Sequence, residues 1–232
     1  VREALVRTLA TELEDELLAV YYASQTPEYR IEHADIGKRS LKNVCLSYLA
    51  FADAAQADRL VSAQYHHANN MTDTVAALSA AIAAQLPCRA ALLADFDERW
   101  HQDGLVMDKW FALQATSPAA DVLSQVRALL NHRSFTLSNP NRIRSLVGAF
   151  ASANPAAFHA ADGSGYQFLV QILSDLNTRN PQVAARMIEP LIRLKRYDAG
   201  RQALMRNALE QLQALDKLSG DLFEKISKAL NA

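Results

Sequence analysis

Ser138–Phe150, SNPNRIRSLVGAF, is the stretch whose reading decides the fold. Asn139 is a good N-cap and Pro140 suits the first helical position, so a helix starts here. Ile143, Leu146, Val147 and Phe150 then recur at i, i+3, i+4 and i+7 and make one apolar face. Arg142 and Arg144 flank that face near the first turn, where the positive end of the helix macrodipole disfavours them. The same placement suits a carboxylate or phosphate, which would meet backbone N–H groups and guanidinium forks together. The other reading is two solvated arginines on a helix shoulder.

The same punctuation recurs outward from this segment. Asn180-Pro181 is a further cap-plus-proline start, Ser117-Pro118 opens another helix, and residues 154–165 read as a small loop holding another Asn-Pro. Toward the N-terminus, residues 1–24 read as one amphipathic helix with Leu5, Leu9, Leu13 and Leu17 on a face. The segment QTPEYR breaks it, and a helix over 36–52 then turns Leu41, Val44, Cys45, Tyr48 and Leu49 inward. Asn69-Asn70 is a turn, with Thr72 or Asp73 capping the next helix and Val75, Leu78, Ile82 and Leu86 buried. The last helices run over 198–215 and 219–230, with Ser219 able to cap the final one.

No strand alternation of convincing length is present. About a dozen helices joined by short turns predict an all-α chain. Helix after helix without a fixed residue period points to a right-handed superhelical stack of antiparallel pairs, a HEAT/armadillo-like α-solenoid. A compact helical bundle is the alternative. The chain, 1–232, is read as a single helical domain, and its capless, Met-less opening as that of a piece excised from a larger protein.

Half of the 232 residues are hydrophobic, as a globular core requires, and the net charge is −1, which gives no global pull toward nucleic acid or an anionic membrane. Two cysteines make no disulfide framework and suit a reducing compartment. No apolar run approaches a bilayer-spanning length.

The neutral total hides an uneven distribution. Residues 139–201 carry eight Arg or Lys against four acids, so this is the segment to search for an anion contact. In the helix from Pro181 to Tyr197, Gln182, Arg186, Glu189, Arg193 and Arg196 share one stripe, opposite Val183, Met187, Leu191 and Leu194. Pro190 predicts a kink. The stripe is either a wet face or a basic wall that meets something anionic.

Catalytic motifs are missing. None of the six histidines lies in a His-Glu-x-x-His pattern, and there is no Cys-x-x-Cys, Walker loop, dinucleotide fingerprint or nucleophile elbow. Aromatic residues do not interleave with the arginines, which argues against single-stranded nucleic acid.

Five strings carry a resemblance: DIGKRSLKNVCLSYLAF (35–51), HHANNMTDTVAALSA (66–80), WHQDGLVMDKWFALQATSP (100–118), HRSFTLSNPNRIRSLVGAF (132–150) and NPQVAARMIEPLIRLKRYD (180–198). Together they resemble the C-terminal helical domain of bacterial aminopeptidase N, in the zinc metallopeptidase family. The resemblance implies a cytoplasmic multidomain enzyme that removes N-terminal residues from peptides. Its zinc cofactor and His-Glu-x-x-His site would lie in a catalytic domain of the same polypeptide, outside this chain, leaving this segment inert alone. The helical domain would close over that catalytic domain and wall an internal cavity, meeting the carboxylate end of peptide substrates. On that reading Arg144 and Arg186 are the expected substrate contacts, with Gln182 beside Arg186. Arg193 and Arg196 are left to packing or salt bridges. The competing reading is an α-solenoid scaffold that binds a protein partner. Neither reading involves nucleic acid or a membrane.

Overall fold

A computed structural model describes residues 2–231, and every described regular element is helical. The chain divides into two compact units, Val1–His101 and Gln102–Ala232. The first contains α1 (Arg2–Glu12), α2 (Glu14–Ala23), α3 (His33–Leu49), α4 (Ala54–His67), α5 (Met71–Ala83) and α6 (Arg89–Trp100). The second contains α7 (Gly104–Ala115), α8 (Val122–Leu129), α9 (Pro140–Ile143), α10 (Ala149–Ala153), α11 (Pro155–Phe158), α12 (Ser164–Arg179), α13 (Pro181–Met187), α14 (Glu189–Ile192), α15 (Ala199–Gln213) and α16 (Gly220–Leu230). A π-helical turn, Arg144–Gly148, joins α9 to α10, and a 3-10 turn, Leu194–Arg196, follows α14. No described helix is long and apolar enough to cross a membrane.

Segmentation is finer than the sequence reading because three long helices break. The first breaks at Leu13, whose backbone (φ −114°, ψ 21°) leaves the helical basin. The second widens into the π turn. The third breaks at Ile188, just ahead of Pro190, where the kink was expected.

Packing follows the chain. In the first unit α2 lies on α3, and α3 and α4 lie on α5; in the second α7 meets the π turn, and α12 meets α13 and α15. Such local pairing is how repeat domains build a core from neighbours. The second unit is densest around Phe111, Ile143, Leu146, Val147, Phe150, Phe158 and Phe168, all essentially buried. The Phe150 ring stands edge-on to Phe158 and Phe168 at 6.0 and 5.6 Å, the geometry that the ring quadrupole favours. Gly165 lets α12 lie directly on α11, since a Cβ there would sit 2.3 Å from the Phe158 carbonyl oxygen.

Several expected faces are rotated. Leu5 and Leu13 are 59 % and 43 % exposed, so the leucine face of residues 1–24 is not a buried one. Leucines spaced strictly by four drift about 40° around a helix at each step and cannot all share one face. In α3, Leu41 and Val44 point outward while Arg39, Lys42, Cys45, Leu46 and Leu49 are buried. Two internal cation contacts set that rotation. Lys42 pairs with Asp73 at 2.6 Å, and Arg39 donates to the Arg30 carbonyl at 2.9 Å while lying over the Tyr29 ring. Asn70, rather than Thr72 or Asp73, caps α5 by accepting from the Asp73 N–H. Ser219 precedes α16 without a side-chain cap bond, and its own N–H is donated to Asn177 Oδ1 at 2.9 Å.

Candidate functional site

The capped start at Asn139 forms as the sequence dictates. The Asn139 Oδ1 accepts from the Asn141 and Arg142 N–H groups, and Pro140 begins α9. Ile143, Leu146, Val147 and Phe150 are all fully buried, which holds this segment against the core.

The two arginines at the start of that segment have opposite fates. Arg142 turns inward. Its Nη1 donates to Asp108 Oδ1 at 2.7 Å, its Nη2 to the Gly104 carbonyl at 3.2 Å, and its guanidinium lies 5.1 Å from the Phe111 ring centre. Ser145 Oγ donates to the same Asp108 oxygen at 3.1 Å and also approaches the Arg142 carbonyl at 2.9 Å. With its side chain 6 % exposed, Arg142 is an internal tie between α7 and α9 and is unavailable to an external anion. Neither reading of the arginine pair, an anion contact or a solvated helix shoulder, describes Arg142. Arg144 is exposed, at the first position of the π turn.

The π turn closes its hydrogen bond over one residue more than an α-helix does, with the Ala149 N–H donating to the Arg144 carbonyl five residues back. It is held from both sides. Arg142 and Ser145 grip Asp108 on one side, and on the other Gly148 abuts Met187, where a Cβ would lie 3.4 Å from Met187 Cε.

Met187 ends α13, immediately after Arg186. The Asn180 cap, accepting from the Val183 N–H, and Pro181 start α13 as expected. Val183, Ala184, Ala185 and Met187 are buried, which leaves Gln182 and Arg186, one turn apart, exposed on the other face. Arg193 and Arg196 are exposed too, whereas Glu189 is drawn into an ion pair with Lys225 of α16. The contact of Gly148 with Met187 therefore joins the turn that begins at Arg144 to the helix that carries Arg186 and Gln182. Neither Arg144 nor Arg186 is ion-paired with an acid among the described residues.

Spacing alone did not reveal Asp108 and Ser145 as the holders of the π turn, because each is an ordinary polar residue on its own helix. A second missed group surrounds His159. This histidine is buried, stacks on Tyr197 with ring centres 4.1 Å apart, and has Tyr197 Oη 2.7 Å from Nε2 and Tyr166 Oη 2.8 Å from Nδ1. Burial, reinforced by the nearby Arg201 charge, lowers its pKa below the usual 6.5. Among the described residues no three His, Cys, Asp or Glu side chains are grouped to hold a metal.

Comparison with known proteins agrees with this architecture. The chain is 72 % identical over 230 residues to "Aminopeptidase N" of Escherichia coli, and 54 % identical over 222 residues to that of Haemophilus influenzae. The Caulobacter vibrioides aminopeptidase N is 37 % identical over 230 residues. These matches cover 99 %, 96 % and 99 % of this chain but only 26 %, 25 % and 27 % of the relatives, so the chain spans about a quarter of their length. A crystal structure of Legionella pneumophila aminopeptidase A in complex with aspartic acid matches with a TM-score of 0.90 at 30 % identity, over 99 % of this chain and 28 % of that one. The resemblance to the C-terminal domain of bacterial aminopeptidase N is thereby borne out. Residues 1–231 match the family described as "Domain of unknown function (DUF3458_C) ARM repeats", and the chain belongs to that family of ARM-repeat domains.

Proposed function

We propose that this chain is the helical domain of a cytoplasmic zinc aminopeptidase and that it walls the chamber in which peptides are trimmed. Arg144 and Arg186, assisted by Gln182, receive the carboxylate end of the peptide. The observation that carries this reading is the Gly148–Met187 contact, which links the segments bearing two exposed arginines that have no acidic partner. Guanidinium groups suit a carboxylate because their planar forks match its two oxygens.

The chemistry itself lies elsewhere. The donor set of this chain does not fit zinc, since no three ligating side chains come together among the described residues, so no catalytic step is assigned to it. Its partner on this reading is the catalytic part of the same polypeptide. The first unit offers exposed apolar side chains to such a partner: among the described residues the large exposed hydrophobics all fall between Leu5 and Val44, apart from Leu105 and Phe223 of the second unit. Where such side chains adjoin on the surface they mark an interaction site. The same surface also favours a second reading, a scaffold that binds an unrelated protein without affecting catalysis.

Steady-state kinetics of the full-length enzyme separate the two. Arg144→Ala or Arg186→Ala should raise KM for short free-acid peptides by about tenfold or more, the loss of one charge-assisted contact shielded from water. Amidated peptides and single-residue substrates should be unaffected. Equal effects on both kinds of substrate would reject the carboxylate role, and no effect on either would favour the scaffold.

A further inference from the structure

From Arg142 to Ala151, Arg144 is the one exposed residue, and it stands at the first position of the π turn. Such turns are rare and occur mostly singly inside α-helices, frequently at functional sites. The local sequence does not ask for one. Ile143, Leu146, Val147 and Phe150 would make the same apolar face on an unbroken α-helix. The wider turn is held instead by contacts from other helices.

Two of those contacts bracket Arg144. Arg142 Nη1 donates to Asp108 Oδ1 at 2.7 Å, and Ser145 Oγ donates to the same oxygen at 3.1 Å. One carboxylate oxygen on α7 thus grips the chain two residues before Arg144 and again one residue after it. The ion pair is shielded, with the Arg142 and Asp108 side chains 6 % and 21 % exposed. A charge-assisted bond in such a place is short and directional, so it fixes the backbone between its two ends. On the far side, a Cβ at Gly148 would lie 3.7 Å from Arg144 Cβ and 3.4 Å from Met187 Cε, so this glycine lies against both the Arg144 stem and α13.

We infer that Asp108, acting with Ser145, is a positioning residue for Arg144: its carboxylate holds the π turn and so aims the guanidinium. This rests on the carboxylate-binding role proposed above for Arg144. Released from Asp108, the turn reverts toward α geometry. A register change of one residue rotates one flank of a helix against the other by about 100°. The planar fork of an arginine meets a carboxylate well only in a narrow range of orientations, so a redirected Arg144 keeps its charge but loses hydrogen bonding to the peptide terminus.

The test follows the ratio of kcat/KM for a tripeptide to that for its C-terminal amide in the full-length enzyme. Any loss of folded enzyme cancels in this ratio, so a purely structural role would not move it. Ser145→Ala and Asp108→Asn should each lower the ratio by about two- to tenfold, the worth of one hydrogen bond. They should do so in the parent and in the Arg186→Ala background, and have no further effect in the Arg144→Ala background. Where Asp108→Asn fails to fold, the milder Ser145→Ala carries the test. If Arg144→Ala lowers the ratio while Ser145→Ala leaves it unchanged, the positioning role is overturned and the carboxylate role of Arg144 stands. The positioning role is equally overturned if Ser145→Ala lowers the ratio as much without Arg144 as with it. If Arg144→Ala itself leaves the ratio unchanged, the carboxylate role falls and this inference falls with it.

Discussion

Arg142 and Arg144 stand two positions apart in one helical segment, and replacing each with methionine should have sharply different consequences. Methionine keeps most of the apolar stem, matches arginine closely in helix propensity and removes only the charged head. At position 142 the change strips Asp108 of its cation and the Gly104 carbonyl of a donor. Breaking a buried ion pair on one side costs about 3–5 kcal/mol, because the remaining charge stays unpaired. The Asp108 side chain is 21 % exposed and keeps the Ser145 hydroxyl, which lowers the expectation to about 2–3 kcal/mol. At position 144 the side chain is exposed without an acidic partner, so the change should stay within about 0.5 kcal/mol. Urea unfolding reads the difference as a midpoint shift at constant slope. Removing both charges, with Asp108→Leu added to Arg142→Met, should recover most of the loss, since no buried charge is then left alone. Similar midpoints for Arg142→Met and Arg144→Met would refute the division of labour between them.

Gly165→Ala should be among the most destabilising single substitutions, about 3 kcal/mol or more by thermal or chemical denaturation, because its Cβ would meet the Phe158 backbone and no side chain can yield. The lowered pKa of His159 makes stability pH-dependent: the unfolded chain takes up this proton first, so stability is fully present above the unfolded value of 6.5 and is lost as pH falls toward the folded value. Melting scans between about pH 7.5 and about pH 5 should show that decline, and His159→Phe should flatten it even if it lowers the melting temperature throughout. Both cysteines should react slowly with a disulfide reagent in the native state, since burial raises Cys45, and burial together with Asp58 pushes the Cys88 thiol up to about 11. At about pH 8 that leaves roughly one Cys88 in a thousand as thiolate, and unfolding should release both thiols at the ordinary rate.

Much of the second unit was legible because its helix starts are written in local chemistry. Asn139-Pro140 and Asn180-Pro181 each cap and begin a helix, and the Ile143–Phe150 stripe is fully buried; Asn154-Pro155, read as part of a loop, begins the four-residue α11 in the same way. Rules confined to one turn of chain capture such features. The inward turn of Arg142 was not legible, because it depends on Asp108 and Gly104, more than thirty positions away in sequence. The π turn was hidden for the same reason: its anchors are Asp108 and Met187. In α3 the apolar rule picked Leu41 and Val44, whereas Lys42 is the buried residue because Asp73 lies across from it. Hydrophobicity predicts a face only where the partner across the interface is apolar as well. Exposure of Gln182, Arg186, Arg193 and Arg196 follows the stripe read along that helix, Arg144 is exposed on a separate segment, and the role of Arg144, Gln182 and Arg186 toward a peptide is a proposal that comes from the resemblance.

A double-mutant cycle in the full-length enzyme tests the shared carboxylate contact most directly. The quantity to follow is the ratio of kcat/KM for a tripeptide to that for its C-terminal amide, in the parent, Arg144→Ala, Arg186→Ala and the double variant. Two guanidinium groups that grip one carboxylate should be non-additive by about 0.5 kcal/mol or more in that ratio. A ratio unchanged in all three variants, or strictly additive losses, would contradict a common contact.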